Sequence, residues 1–130
     1  MTACVIDASA VLAHLQEEDG GDVAFDWLAR GAAISIINVQ EIAFNLARAG
    51  VGRADVEAVL ADLDLDIRPI TLDLALDAAT LPMAGAKRRP SHADRACLAL
   101  GRALGLPTVT ADTPWADVRE AVGVEVVLIR

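Results

Sequence analysis

The chain predicts an α/β fold of three layers, in which helices cover both faces of a five-stranded, mostly parallel sheet. Three observations lead there. Short apolar runs alternate with longer stretches of helical periodicity along the whole sequence, and glycine closes most of the helical stretches. Of the 130 residues, 55% are hydrophobic, enough to fill a core on each face of a sheet. Strand–helix alternation in turn requires right-handed crossovers and parallel strands.

The elements follow in order. Strands are expected at about 3–7, 32–37, 66–70, 107–110 and 125–129. Helices are expected at about 9–17, 21–30, 39–49, 53–64, 72–84, 92–104 and 114–122, with Gly50, Gly52, Gly85, Gly105 and Gly123 marking helix ends. No repeat, low-complexity stretch or linker divides the sequence, so residues 1–130 are read as one domain.

Charge and composition narrow the function. The net charge is −8, from 19 acids against 11 bases, and Lys87 is the single lysine, which argues against a broad basic nucleic-acid surface. Scarce aromatics, with no tyrosine, argue against base-stacking platforms for single strands. An acidic chain suits a basic protein partner. No apolar run approaches the roughly 18 to 20 residues of a membrane span, and Asp7 interrupts the one apolar stretch near the N-terminus. A cytoplasmic protein with no membrane association is expected. Cys4 and Cys97 form neither a disulfide framework nor a zinc site and read as small buried hydrophobes.

Four carboxylates stand where strands end or helices begin: Asp7, Glu41, Asp94 and Asp112. Asp7 closes the run Ala3-Cys4-Val5-Ile6, and Asp112 follows Pro107-Thr108-Val109-Thr110-Ala111. Glu41 and Asp94 lie three residues past Asn38 and Ser91, polar residues able to open helices. Strand C-termini and helix N-termini meet at one edge of a parallel sheet, where ligands bind. Four acids there, with no equally placed lysine, describe an oxygen cage for Mg²⁺ or Mn²⁺ and so a metal-dependent nuclease. Each acid also has a structural alternative. Asp7 and Asp112 are good N-caps, and Asn38–Glu41 and Ser91–Asp94 both read as capping boxes.

Other chemistries find less support. Ser9 lies beside Asp7 without a nucleophile elbow, His14 and His92 stand alone, and no phosphate-binding loop ends in lysine. Lys87-Arg88-Arg89 is the one basic cluster. It reads either as a helix C-terminus with favourable dipole charges or as a phosphate contact beside the acids. The helix at 21–30 carries Val23, Ala24, Phe25, Trp27, Leu28 and Ala29, an apolar arc wider than one core-facing stripe needs, and Phe44 lies off the core face of its own helix. Phe25, Trp27 and Phe44 could therefore line a groove for a partner helix, or be covered by neighbouring helices or by a second copy.

The segments Val5-Ile6-Asp7-Ala8-Ser9-Ala10, Glu41-Ile42-Ala43-Phe44-Asn45-Leu46, Ser91-His92-Ala93-Asp94-Arg95-Ala96-Cys97-Leu98-Ala99-Leu100 and Thr108-Val109-Thr110-Ala111-Asp112 together resemble a PIN domain. More narrowly, the chain resembles the VapC-type ribonuclease toxins of toxin–antitoxin pairs. The resemblance implies a five-stranded parallel sheet, Mg²⁺- or Mn²⁺-dependent RNA cleavage, inhibition by a cognate antitoxin, and a homodimer. It carries the family's acidic quartet onto Asp7, Glu41, Asp94 and Asp112, and its accessory hydroxyl onto Thr110. Asp117 is a possible further acid, also readable as part of a solvated helix face. His92 departs from the pattern, where a small or apolar residue fits better. The rival readings are a catalytically inactive binding module on the same fold and a phosphatase or phospho-receiver. Against the last two, Ser9 stands where a second aspartate is wanted, and no lysine lies near the last strands.

Overall fold

Residues of the first strand point alternately to two cores, and this alternation organises the molecule. In a computed structural model that describes residues 1–130, the elements run β1 (Cys4–Ile6), α1 (Ala8–Leu15), α2 (Gly21–Arg30), β2 (Ala32–Ser35), α3 (Ile36–Arg48), α4 (Arg53–Asp62), β3 (Asp66–Arg68), α5 (Leu72–Ala79), α6 (His92–Leu104), β4 (Thr108–Thr110), a 3-10 helix (Thr113–Asp117), α7 (Arg119–Val122) and β5 (Val126–Leu128). The five strands are all parallel in the order β3-β2-β1-β4-β5. Cys4 and Ile6 of β1, Ala32 and Ile34 of β2, and Val109 of β4 face a core built with Val11, Ala24, Ile42 and Val56 of α1 to α4. Val5 and Ala33 face the other core, with Leu74, Cys97, Leu98, Trp115 and Val122 from α5, α6, the 3-10 helix and α7. The three-layer α/β/α fold expected from the sequence is the fold observed. Each core holds one buried free thiol.

The largest departures from the expected boundaries fall in three places, the others being of one or two residues. The second strand stops at Ser35 rather than at 37, and α3 begins a turn early, because the Ser35 hydroxyl accepts the Asn38 amide and caps the helix. The apolar pair Ile36-Ile37 suits strand or helix, and the cap decides. The fifth helix ends at Ala79 instead of 84; Pro82 follows, and a residue preceding proline is biased away from helix. The segment 114–122 divides into a 3-10 turn and the four-residue α7, an arrangement that buries Trp115.

The strand order positions the site. From central β1 the chain runs outward through β2 and β3, then crosses to the far side of β1 and runs outward again through β4 and β5. The reversal falls between β1 and β4, and outside their carboxyl ends the crossovers leave in opposite directions and open a crevice. Asp7 follows β1 directly and Asp112 follows β4 by two residues. α6 packs closely on β4 at the opposite end of that strand, where a Cβ at Gly101 would collide with the hydroxyl of Thr108, the first residue of β4.

Candidate functional site

Asp7 is almost fully buried, at 3% exposure, and is held by side chains from three elements. Its Oδ2 accepts hydrogen bonds from Ser9 Oγ at 2.6 Å and Thr110 Oγ1 at 2.9 Å. Its Oδ1 accepts one from Asn38 Nδ2 at 3.3 Å. The two hydroxyls also accept main-chain amides, Ser9 from Ala111 and Thr110 from Asp112, each at 3.0 Å. The backbone that carries Asp112 is thereby fastened to the Asp7 carboxylate. Asn38 Nδ2 donates as well to the Ala93 carbonyl in the first turn of α6, and Ser35 Oγ donates to Asn38 Oδ1, which fixes the amide's orientation. Asp7 occupies the N-cap position of α1 but makes no side-chain cap bond, and the same is true of Asp112 before the 3-10 helix. The capping alternative therefore fails for both strand-end acids.

Asp94 does act as a cap. Ser91 and Asp94 form a reciprocal capping box, with Ser91 N donating to Asp94 Oδ2 at 3.0 Å and Asp94 N donating to Ser91 Oγ at 3.1 Å. A carboxylate at a helix N-terminus keeps lone pairs free, so the cap leaves Asp94 able to bind elsewhere. Glu41 is not a cap, because α3 begins at Ile36 and places it well inside the helix, half-buried and off the Val39–Ile42–Leu46 core stripe.

The acids divide electrostatically. Burial pushes Asp7 up to about 6, against the pull of the Ser9 and Thr110 hydroxyls, while Asp94's charge adds to the rise and the Ala8 amide opposes it. Glu41 is pushed up to about 7 by burial first, then by the charges of Asp7 and Asp94. Asp112 has a different environment. Arg88 Nη2 lies 2.7 Å from both of its carboxylate oxygens. No lysine pairs with any of the four acids, as the sequence implied, but an arginine 24 positions away pairs with one of them. Asp94 and Asp112 line one small cavity together with Lys87, Arg88, Leu98 and Trp115.

The basic cluster does not sit on a helix end, since α5 stops at Ala79; it belongs to the loop before α6. That loop is strapped to the 3-10 helix. Lys87 Nζ lies 3.8 Å from Asp117 Oδ2, and a Cβ on Gly85 (φ +94°) would meet the Asp117 carbonyl at 2.5 Å. Asp117 is engaged there by Lys87. His14 packs on Phe25 with ring centroids 5.2 Å apart, and His92 lines an apolar cavity between α5 and α6. Phe25 and Phe44 are exposed, Phe44 lying under the Arg48 guanidinium. Trp27 packs against the first core, with Arg30 4.1 Å above its ring.

The donors at this rim are carboxylate and hydroxyl oxygens, the kind a hard divalent cation takes. As the side chains lie, no three acids or histidines are gathered closely enough to hold an ion together. The donor chemistry fits Mg²⁺ or Mn²⁺, while a closed cage of four carboxylates is not formed. Sequence reasoning missed Ser9 and Asn38 as parts of the site. Ser9 was legible in its place two residues past Asp7, which returns its hydroxyl to that carboxylate; Asn38, 31 residues from Asp7, had no local signal.

A parallel sheet with an acidic rim at its topological switch defines a class of α/β protein, and the sequence narrows it. Residues 4–121 match the PIN domain, and the chain belongs to the PIN domain family. PIN domains are generally nucleases. No curated protein matches the sequence. Among solved structures, a chain of FitAB bound to an IR36 DNA fragment aligns with TM-score 0.67 and 17% identity over 97% of this chain and 94% of that one. FitAcB from Neisseria gonorrhoeae aligns with TM-score 0.65 and 19% identity over 97% of each chain. At such identities the likeness is one of fold.

Proposed function

We propose that this protein is a Mg²⁺- or Mn²⁺-dependent endoribonuclease, the toxin of a type II toxin–antitoxin pair. The observation that carries the reading is the acidic rim at the β1/β4 switch, where Asp7 and Glu41 are raised by burial and by neighbouring charge. Acids held at such a cost to the folded state suit a site completed by a cation. Asp7, Asp94 and Asp112 would hold the metal directly, and Glu41 directly or through water. Once held there, the ion would supply a water of lowered pKa and would stabilise charge on the departing oxygen. Ser9, Thr110 and Asn38 keep the Asp7 carboxylate oriented, and Thr110 also fixes the Asp112 amide. Lys87 and Arg88 line one cavity with Asp112, and together with Arg89 they would contact the RNA backbone, which basic side chains bind irrespective of sequence.

The likeness to FitAB, whose solved structure is bound to an IR36 DNA fragment, is one of fold; the resemblance to VapC-type toxins is what suggests an antitoxin partner here. The exposed Phe25 and Phe44, with Trp27, would line its groove. A homodimer in the cytoplasm completes the reading, in keeping with the absence of any helix long and apolar enough to cross a membrane. One observation favours an inactive binding module instead: the acids are not gathered into a ready cage. RNA cleavage assays with Mg²⁺, with Mn²⁺ and with chelator decide between them. Cleavage that requires the metal and disappears in Asp7→Asn supports the nuclease. RNA left intact under all three conditions, at protein concentrations that saturate binding, supports the inert module.

A further inference from the structure

We propose that Arg88 is a built-in counter-ion that occupies the cation's place at Asp112 and must be displaced when a divalent metal binds. The inference rests on the metal-nuclease reading and adds a competition within the same site. A single guanidinium nitrogen stands 2.7 Å from each oxygen of Asp112, so the carboxylate embraces one positive centre with both oxygens. A carboxylate chelating a cation adopts the same pose. Asp112 caps nothing, so Arg88 is the partner that holds its carboxylate.

The surroundings separate what is fixed from what can move. The Asp112 amide is bound to Thr110 Oγ1, and the loop bearing Arg88 lies close against the 3-10 helix at Gly85. The Arg88 side chain itself is 64% exposed. It can leave by rotating about its own side-chain bonds while both backbones stay in place. Arg88 Nη2 stands between the two oxygens of Asp112, so a divalent ion chelated by both oxygens takes the guanidinium's place. An exposed ion pair is a modest barrier, and its removal should tighten metal binding by about two- to fivefold.

The test is Mn²⁺ binding by calorimetry to the wild type, Arg88→Gln, Lys87→Gln, Asp112→Asn and the Arg88→Gln/Asp112→Asn double variant. Far-UV circular dichroism in chelator confirms that each is folded. Lys87→Gln removes the same charge one residue away, from a group paired with Asp117 instead. The expected result is tighter Mn²⁺ binding in Arg88→Gln, by more than in Lys87→Gln, with no further gain when Asp112 is already Asn. Equal or weaker binding in Arg88→Gln overturns the proposal, as does an equal gain in Lys87→Gln, which would show a diffuse field effect. A wild type that binds no Mn²⁺ overturns the metal reading itself, a different result from a wild type that binds Mn²⁺ indifferently to Arg88.

Discussion

The two strand-end acids, Asp7 and Asp112, follow neighbouring strands, yet the protein treats them in opposite ways. Asp7 is sunk into the sheet edge and satisfied by neutral donors, two hydroxyls and an amide. Asp112 lies nearer solvent and is satisfied by a full positive charge on a long, exposed side chain. Neutral donors orient a carboxylate without cancelling its charge, so Asp7 still repels Asp94 and Glu41. A guanidinium cancels the charge and holds the acid by a weak, solvent-screened bond. One half of the rim is thus rigid and electrostatically strained, and the other relaxed and exchangeable.

The largest expected effect would erase the contrast. If both halves serve one metal, Asp7→Asn and Asp112→Asn should each reduce RNA cleavage to the level of the chelated wild type, whatever their difference in burial. Full activity in either variant would detach that half from the chemistry.

Stability against pH then separates the halves. A carboxyl group raised on folding stabilises the native state below its unfolded value and loses that contribution as pH rises through its folded value. For Asp7 and Glu41 the window runs from the ordinary carboxylate range to about 6 and about 7. Metal-free protein should therefore melt at lower temperature at pH 8 than at pH 5, with Asp7 contributing on the order of 1 kcal/mol over that interval. Asp7→Asn should flatten the profile. Millimolar Mg²⁺ should restore the melting temperature at pH 8 in the wild type. A profile in chelator that is level or rises with pH would contradict the strain assigned to the buried half.

Asn38→Leu sharpens the contrast by removing one neutral donor from Asp7 with little change of volume. The loss should be about 1 to 3 kcal/mol in denaturant unfolding, since it leaves buried polar groups unpaired. Mn²⁺ affinity should fall by about tenfold or more, because the amide also ties Asp7 to the first turn of α6, next to Asp94. A variant that is destabilised but binds Mn²⁺ normally would make Asn38 a structural residue only. The smallest effect belongs to the exchangeable half. Arg88→Gln should change metal-free stability by under about 1 kcal/mol in the same assay.

The same division governs what the sequence revealed. Local patterns carried the fold: strand–helix alternation, closing glycines and the Ser91–Asp94 capping box each depend on residues a few positions apart. They also placed Asp7, Asp94 and Asp112, because element ends are local features, whereas Glu41 lies inside α3 and not at its start. What supports the acids is not local. Asn38 reaches Asp7 across 31 residues, Thr110 reaches it across 103, and Arg88 reaches Asp112 across 24. No periodicity encodes such pairs. The early start of α3 was legible in Ser35 only to a reading that preferred the cap over the apolar pair behind it. The early end of α5 was written in Pro82.

The two thiols turn the layered architecture into something that can be timed. Cys4 lies in the core beneath α1 to α4 and Cys97 in the core beneath α5 to α7, both wholly inaccessible. Burial raises the Cys4 thiol to about 11 and the Cys97 thiol well above its ordinary value, so neither reacts while its layer is closed. Each sulfur is a silent clock for one face of the sheet, started only when the helices above it lift. Labelling rates in Cys4→Ala and Cys97→Ala would read the opening of each layer separately, without a probe attached to either surface.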